Sequence, residues 1–89
     1  MDIRGVYCAL VAADICGLLE ENPELTEGVG DFLLNCQTYE GGFCCSPFGE
    51  AHGGYTFCAL GSFLILSRVG DKSYEKINYL RLAEWLSNR

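Results

Sequence analysis

The chain has 89 residues, enough for one small domain, and its formal net charge at pH 7 is −6. With no basic patch to neutralise phosphates, this composition excludes nucleic acid as an expected partner. Hydrophobic residues make up 49% of the chain and its mean hydropathy is +0.14, which is high for a chain able to bury only about 60–65% of its unfolded surface. We therefore expect it to oligomerise or to form part of a larger fold.

The first predicted helix spans residues 3–19 and has almost no polar face. A helix that is apolar on nearly all sides is expected to be buried in a larger assembly. Arg4 and Asp14 interrupt the apolar pattern, so each needs a partner or a polar cavity. Arg4 could form an ion pair with an acid such as Glu50, and Asp14 is expected to accept structural hydrogen bonds.

The second predicted helix spans residues 25–38 and is amphipathic, with apolar residues at helical spacing on one side. Asn22 is predicted to cap its start, because asparagine is a favoured residue at that position. Gly41 and Gly42 end the helical pattern, and a loop is predicted through residues 44–49.

The only histidine of the chain, His52, precedes Gly53 and Gly54 at the start of a third predicted helix, residues 53–69, which Gly70 would end. Free N–H groups at a helix start, with the helix dipole behind them, can bind an anion. The glycines leave the backbone accessible because they have no Cβ, and the histidine adds a hydrogen-bond donor. The alternative is a histidine that only satisfies the backbone of a packed turn.

A fourth helix is predicted over residues 74–88, with Ser73 as its cap and Trp85 as a packing residue. The first and third helices also share a repeated pattern, in which 57 − 7 = 50 residues separate the matching stretches. These stretches are Tyr7-Cys8-Ala9-Leu10 and Phe57-Cys58-Ala59-Leu60. Because repeats of this length indicate arrays of helical hairpins, we predict an all-α fold with two repeats, residues 1–49 and residues 50–89. Each repeat would pair an inner helix with an outer one.

The cysteines and the hydropathy pattern bear on where the protein resides. The chain has six cysteines, but its first residues show no signal peptide, so we expect reduced thiols in a cytoplasmic protein. Most of these cysteines lie in apolar helical patterns, where cysteine acts as a small hydrophobic residue. The apolar run at residues 55–66 is too short and too polar to span a bilayer, which needs about 20 apolar residues.

Three motifs carry a resemblance to a known family. They are Asp2-Ile3-Arg4 with Tyr7-Cys8-Ala9, the run Cys36-Gln37-Thr38-Tyr39-Glu40-Gly41-Gly42-Phe43, and the run Glu50-Ala51-His52-Gly53-Gly54-Tyr55-Thr56-Phe57-Cys58. In order and spacing they resemble the β subunits of protein farnesyltransferase, within the protein prenyltransferase β family, over essentially the whole chain. Tyr55 favours the farnesyl members, because the geranylgeranyl members usually carry a different residue there.

The resemblance implies a fold and a reaction. The fold is an α-α barrel (toroid) in which inner helices line a funnel and outer helices wrap it. The reaction moves a farnesyl group from farnesyl diphosphate to the cysteine thiol of a protein ending in a CaaX sequence. The resemblance further implies a prenyltransferase α subunit as partner and a zinc ion that holds the thiol as thiolate. Such a pocket needs apolar, aromatic walls for the lipid and fixed donors for the departing diphosphate.

The resemblance also assigns substrate-binding roles at the start of the third helix. His52 matches the histidine that hydrogen-bonds the diphosphate. Gly53, Gly54 and Tyr55 lie in the same binding segment, with Tyr55 against the isoprenoid. Without the resemblance, Tyr55 would be interpreted as a core aromatic residue.

Three further substrate-binding residues follow from the resemblance. Arg4 matches an arginine at the junction of the isoprenoid and the CaaX peptide, and Tyr7 matches an aromatic wall residue. Their i, i+3 spacing places both on one helix face. Cys58 matches a position that lines the pocket.

No residue of this chain is assigned to catalysis or to metal binding. The family's zinc ligands lie beyond the matched region, and Cys44-Cys45 lacks the separation expected of a zinc site. We therefore interpret the chain as a fragment, inactive by itself, of a zinc-containing enzyme. A geranylgeranyltransferase β subunit and a non-catalytic helical-repeat interaction module remain as alternatives.

Overall fold

The computed structural model describes residues 2–46 and 49–88, whose regular structure is helical apart from one isolated antiparallel bridge between Gln37 and Phe43. The elements in chain order are α1 (Ile3–Ile15), α2 (Leu18–Glu21), a first 3₁₀ turn (Pro23–Thr26), α3 (Val29–Asn35), α4 (Gly53–Arg68), a second 3₁₀ turn (Ser73–Lys76) and α5 (Tyr79–Ser87). The predicted all-α fold is confirmed. No helix in the described part of the chain has the length and apolar character needed to cross a membrane.

The first helix is shorter than predicted. It ends at Ile15, and Gly17 has a φ of 72°, in the left-handed region that glycine adopts without steric cost. The chain turns at this glycine before the single turn of α2. At the other end Asp2 caps α1, since its Oδ1 accepts a hydrogen bond from the Gly5 N–H at 2.8 Å.

The predicted start of the second helix is wrong. The helix, α3, begins at Val29 and is only seven residues long, because Gly28 has a φ of 77° and separates it from the first 3₁₀ turn. Asn22 does not cap a helix start. Its Nδ2 donates to the Leu18 carbonyl oxygen at 3.0 Å and so closes α2 instead.

The third predicted helix is nearly as expected, whereas the fourth is divided. α4 starts at Gly53 and ends one residue before the predicted end, ahead of Gly70, whose φ is 93°. The predicted fourth helix is interrupted at Ile77, whose backbone is extended, with a φ of −64° and a ψ of 138°. The second 3₁₀ turn lies before this residue and α5 lies after it.

The capping residue of the last helix also differs from the prediction. Asn78 caps α5, with its Oδ1 accepting from the Arg81 N–H at 3.1 Å. Ser73 caps no helix, since its own N–H donates to Asp71 Oδ1 at 2.8 Å. Asparagine and serine are both favoured caps, so the extended Ile77 decided which of them lies at a helix start.

The core lies where α1 and α4 pack side by side, with α3 and the second 3₁₀ turn packed against α4. Its buried apolar residues include Ile3, Leu10, Leu19, Leu33, Cys36, Phe43, Cys44, Ala59, Phe63, Leu66 and Trp85. The apolar side chains of α1 and α4 are not all covered within the described chain. Ile15 is 79% exposed, Phe57 64% and Leu64 58%.

Two parts of the chain repeat the same local geometry. Each 3₁₀ turn is followed by a single extended residue, Glu27 (φ −62°, ψ 128°) in the first case and Ile77 in the second. A polar-faced helix then follows in each, α3 or α5. This parallel agrees with the predicted repeat, and the division into residues 1–49 and 50–89 stays a prediction.

The loop after α3, which we name the 37–43 turn, packs tightly on α5. Gly41 has a φ of 116° and lies directly against the Arg81 carbonyl. A Cβ on Gly42 would lie 2.5 Å from Trp85 Cε2, so the indole covers this glycine and Trp85 is a packing residue as predicted. Gln37 adds three hydrogen bonds, donating through Nε2 to the Gly41 and Asn78 carbonyls and accepting the Asn78 N–H through Oε1.

Candidate functional site

The start of α4 is fixed by a closed set of hydrogen bonds to the 37–43 turn. The His52 N–H donates to the Phe43 carbonyl at 3.0 Å, and the Thr56 N–H donates to the His52 carbonyl at 2.9 Å. The Phe43 N–H in turn donates to Thr56 Oγ1 at 2.9 Å. Thr56 is only 3% exposed and Phe43 is fully buried, so a buried turn sets the position of His52.

Sequence reasoning missed Thr56. Its only sequence signal is a hydroxyl-bearing, β-branched residue within the most apolar run of the chain. A buried hydroxyl needs a hydrogen-bond partner, but the sequence does not show which backbone group supplies it.

The His52 side chain uses one ring nitrogen for the backbone and keeps the other available. Its Nδ1 accepts the Gly54 N–H at 3.0 Å, so this N–H, predicted to be free for an anion, is already satisfied. With Nδ1 as acceptor, a neutral imidazole carries its proton on Nε2. His52 is exposed, and the Nε2–H is therefore a donor at the start of α4.

The two glycines after His52 differ in their surroundings. A Cβ on Gly53 would meet no atom within 4 Å, whereas one on Gly54 would lie 3.3 Å from His52 Nδ1. Gly53 is exposed, so packing within the described chain does not account for a glycine there. Access for a ligand to the helix start would account for it.

Arg4 lies over Tyr55 and is not paired with an acid. The first turn of α1 is held by the Ile3 N–H, which donates to the Cys45 carbonyl at 2.9 Å. From this turn the Arg4 guanidinium lies 5.8 Å from the centre of the Tyr55 ring, within the range of a cation–π contact. The Tyr55 ring centre is in turn 5.3 Å from that of His52. Arg4, Tyr55 and His52 thus form a row across α1 and α4.

The proposed ion pair between Arg4 and Glu50 is not formed. In residues 2–46 and 49–88 the one ion pair joins Arg68 to Asp14 at 3.2 Å. Asp14 thus has the structural role expected of it. Arg4 keeps its charge over an aromatic face instead.

A second aromatic contact joins the two helices. Tyr7 meets Phe57 edge-on at a centroid distance of 5.9 Å. A Cβ on Gly61 would lie 2.6 Å from the Tyr7 ring, so the absence of a side chain there admits the tyrosine onto α4. Phe57 was missed as a site residue, although it occupies the repeat position of Tyr7.

Cys58 lies between the two helices near Arg4 and Cys8. Burial raises the pKa of the Cys58 thiol, the nearby Cys8 adds to this effect, and Arg4 opposes it. Its thiol is half-buried. The predicted packing role of the cysteines is wrong for Cys8 and Cys16, which are both exposed, and right for Cys36 and Cys44, which are buried.

The described residues do not fit a zinc site. No group of three His, Cys, Asp or Glu side chains between residues 2–46 and 49–88 is placed to hold a metal ion. In the nearest thiol cluster, Cys44 Sγ lies 3.1 Å from the Cys36 carbonyl oxygen and 2.7 Å from that of Ser46, so its single S–H can donate to either. Burial, together with the neighbouring Cys44, raises the pKa of Cys36 from 9.0 to about 12.

A separate groove of about 530 Å³ runs along the other side of α1. Its apolar lining includes Val6, Ala9, Ala13, Leu19 and Val29. None of the predicted site residues lines it. The row of Arg4, Tyr55 and His52 is therefore a distinct feature from the groove.

The described chain thus combines an all-α fold with a histidine-capped helix start. The prenyltransferase alpha-alpha toroid domain matches residues 1–89. The chain belongs to this family.

Individual proteins with similar sequences give a more specific comparison than the family does. The chain is 40% identical over 89 residues to a protein farnesyltransferase subunit beta of Arabidopsis thaliana, covering 100% of this chain and 17% of the relative. It is 41% identical over 86 residues to that of Pisum sativum, covering 97% and 19%. A geranylgeranyl transferase type-1 subunit beta of Arabidopsis thaliana is 37% identical over 95 residues, covering 99% and 24%. The chain thus spans about a fifth of the length of these relatives.

Proposed function

We propose that the chain is part of the β subunit of a protein farnesyltransferase, which acts in the cytoplasm with an α subunit. The enzyme would transfer farnesyl from farnesyl diphosphate to the cysteine thiol of a CaaX protein. One observation carries the proposal. Arg4, His52 and Tyr55, assigned to substrate by resemblance from two distant segments, lie in one row across α1 and α4.

The diphosphate would bind at the start of α4. The His52 Nε2–H supplies a donor and Arg4 supplies a fixed positive charge, while the positive end of the α4 dipole lies behind them. Gly53 leaves room for the anion to approach the backbone. Donors held in place before the reaction stabilise the charge that develops on the leaving group.

The isoprenoid would lie along the aromatic side chains of the two helices. Tyr55 contacts His52, Tyr7 contacts Phe57, and Cys58 lies near Arg4 and Cys8. An apolar tail gains free energy by leaving water for such a surface. The exposed fraction of Phe57, 64% in the described chain, leaves it free for this contact.

The proposed reaction forms a bond between the CaaX sulfur and C1 of the farnesyl group. The bond between C1 and the diphosphate oxygen breaks, the diphosphate leaves with the electron pair, and the thiol gives up its proton. This chain would contribute binding and leaving-group stabilisation. Zinc ligands are expected outside it.

The test is the affinity for farnesyl diphosphate of the full-length protein with its α subunit. We expect His52→Ala or Arg4→Gln to weaken binding about tenfold or more, because each removes a charge-assisted hydrogen bond or an ion pair with the diphosphate. Arg81→Gln is the matched control, since Arg81 is exposed on α5 outside the row. Unchanged affinity in both test variants would contradict the proposal.

The same assay separates the alternatives. The identity to a geranylgeranyl transferase type-1 subunit beta favours geranylgeranyl diphosphate as the second candidate substrate. We expect turnover with the farnesyl substrate to exceed turnover with the geranylgeranyl one. A non-catalytic interaction module would bind neither diphosphate.

A further inference from the structure

Three hydrogen bonds join Phe43, His52 and Thr56, and one of them uses a side chain. The His52 N–H donates to the Phe43 carbonyl, the Thr56 N–H to the His52 carbonyl, and the Phe43 N–H to Thr56 Oγ1. Two of the three bonds use only backbone atoms, which a change of side chain other than to proline leaves in place. The third uses Thr56 Oγ1, which accepts the N–H of the fully buried Phe43.

We propose that Thr56 is a positioning residue for His52, which it holds in the orientation that presents the Nε2–H to a diphosphate. The effect on a ligand rests on the function proposed above. The effect on His52 itself does not.

The geometry of His52 explains why its position needs this support. As the cap of α4 it is extended, with a φ of −146° and a ψ of 143°, and its Nδ1 meets the Gly54 N–H at 3.0 Å. Its N–H and its carbonyl are both bound, one to Phe43 and the other to Thr56. Displacement of Phe43 would therefore move the backbone from which the imidazole extends.

Loss of the Thr56 hydroxyl would displace Phe43. Its N–H is buried, and a buried donor without an acceptor is strongly disfavoured. The turn would move so that this N–H reached another partner or water. Because threonine is β-branched and has restricted χ1 freedom, the native hydroxyl stays aimed at this N–H with little loss of side-chain entropy.

The first test needs no ligand. In the full-length protein with its α subunit, Thr56→Val keeps the side-chain shape and removes the acceptor. We expect amide hydrogen exchange at Phe43 and Gly54 to accelerate at least tenfold, and Thr56→Ser to restore most of the protection. Protection at Gly54 that is the same in Thr56→Val as in the native protein would overturn the proposal.

Matched variants exclude a general loss of stability. Ser62 lies on the same helix, is fully buried, and donates its hydroxyl to the Cys58 carbonyl at 2.7 Å. Ser62→Ala should leave exchange at Gly54 unchanged. If Thr56→Val does not fold, Thr56→Ser and Thr56→Ala form a second pair that differs in the hydroxyl alone. Equal exchange at Gly54 in these two variants would also overturn the proposal.

The second test measures the affinity for farnesyl diphosphate in a double-mutant cycle. If Thr56 acts through His52, Thr56→Val weakens binding several-fold in the native protein and has no further effect in His52→Ala. Additive losses would show that Thr56 acts elsewhere. If neither His52→Ala nor Arg4→Gln changes the affinity, the proposed function fails, and the exchange experiment still decides the role of Thr56.

Discussion

The two ring nitrogens of His52 allow it to cap α4 and still offer a donor to the ligand proposed above. Nδ1 accepts the Gly54 N–H and so completes the cap of α4. This hydrogen bond sets the tautomer and leaves Nε2–H as the donor. A helix-capping histidine and a ligand-binding histidine are therefore compatible descriptions of the same residue.

The open space beside Gly53 gives a prediction at the scale of one residue. Gly53→Ala adds a Cβ that meets no atom of the described chain within 4 Å, and alanine favours a helix more than glycine does. We expect the unfolding midpoint of the full-length protein to stay unchanged or to rise. The affinity for farnesyl diphosphate should fall, because the Cβ occupies the space of the anion. An unchanged affinity by titration calorimetry would show that no ligand approaches this position.

Cys36 gives a second prediction, on reactivity and pH. Its pKa is raised from 9.0 to about 12, chiefly by burial, so we expect alkylation by iodoacetamide at pH 8.5 to be far slower at Cys36 than at Cys45 until denaturant is added. Mass spectrometry of the labelled peptides measures both rates. Equal rates in the native protein would contradict the assigned burial.

The raised pKa of Cys36 also sets a direction for stability. Below pH 9 the thiol is protonated in both the folded and the unfolded state, so its titration has no effect. Between pH 9 and about 12 only the unfolded state ionises, and the free energy of unfolding therefore falls as the pH rises. The stability difference between the native protein and Cys36→Ala should shrink over this range.

At the scale of elements, glycines with positive φ and single extended residues decide where the helices stop. Gly17 and Gly28 divide the first half of the chain into short pieces, and Ile77 separates a 3₁₀ turn from α5. These breaks let the chain fold back so that α3 packs against α4 and the second 3₁₀ turn packs against both. The same breaks place the 37–43 turn between α5 and the start of α4.

Gly41 provides the test at this scale. Its φ of 116° is costly for any residue with a Cβ, and an added Cβ would overlap the Arg81 carbonyl. Gly41→Ala should lower the free energy of unfolding by more than about 2 kcal/mol and, through the 37–43 turn, weaken farnesyl diphosphate binding. Gly53→Ala serves as the control for stability. Unfolding by urea that is unaffected in Gly41→Ala would contradict the packing of this turn on α5.

At the scale of the whole molecule, the chain measures 40 × 21 × 18 Å, with two long helices side by side and shorter ones over them. Large apolar side chains of both long helices remain exposed, among them Ile15, Phe57 and Leu64. The chain belongs to the toroid family and spans about a fifth of the length of its relatives. Further repeats that covered these faces would account for the exposure, and the row of Arg4, Tyr55 and His52 would then line only part of a larger pocket.

We therefore expect these 89 residues alone to show no farnesyl transfer to a CaaX peptide. No group of side chains in the described residues is placed to hold a metal ion. The aromatic side chains of Tyr7, Tyr55 and Phe57 would cover only one side of a lipid. The check is a transfer assay with fluorescent peptide, using the full-length protein with its α subunit as the positive control. Measurable turnover by the short chain would refute this expectation.

The motifs assigned Arg4, Tyr7, His52 and Tyr55 to one pocket, and this assignment stays a prediction. The structure brings Arg4, Tyr55 and His52 into one row. The ends of α1 and α3 were wrong because apolar periodicity continues through Gly17 and Gly28, where only the backbone conformation changes. The Arg4–Glu50 pair was wrong because a cation can be satisfied by an aromatic face as well as by an acid.

The sequence by itself determined the all-α class and the resemblance to the family, because periodicity and motifs are local properties of the chain. Only the tertiary structure decided that His52 Nδ1 accepts the Gly54 N–H while the other ring nitrogen stays available. It also decided that the Phe57 ring packs edge-on against Tyr7. It also decided that Thr56 fixes the cap. Tyr7 and Phe57 are 50 positions apart in the chain, and Phe43 reaches α4 through the buried Thr56 hydroxyl. Such contacts form only when α1, the 37–43 turn and α4 pack together.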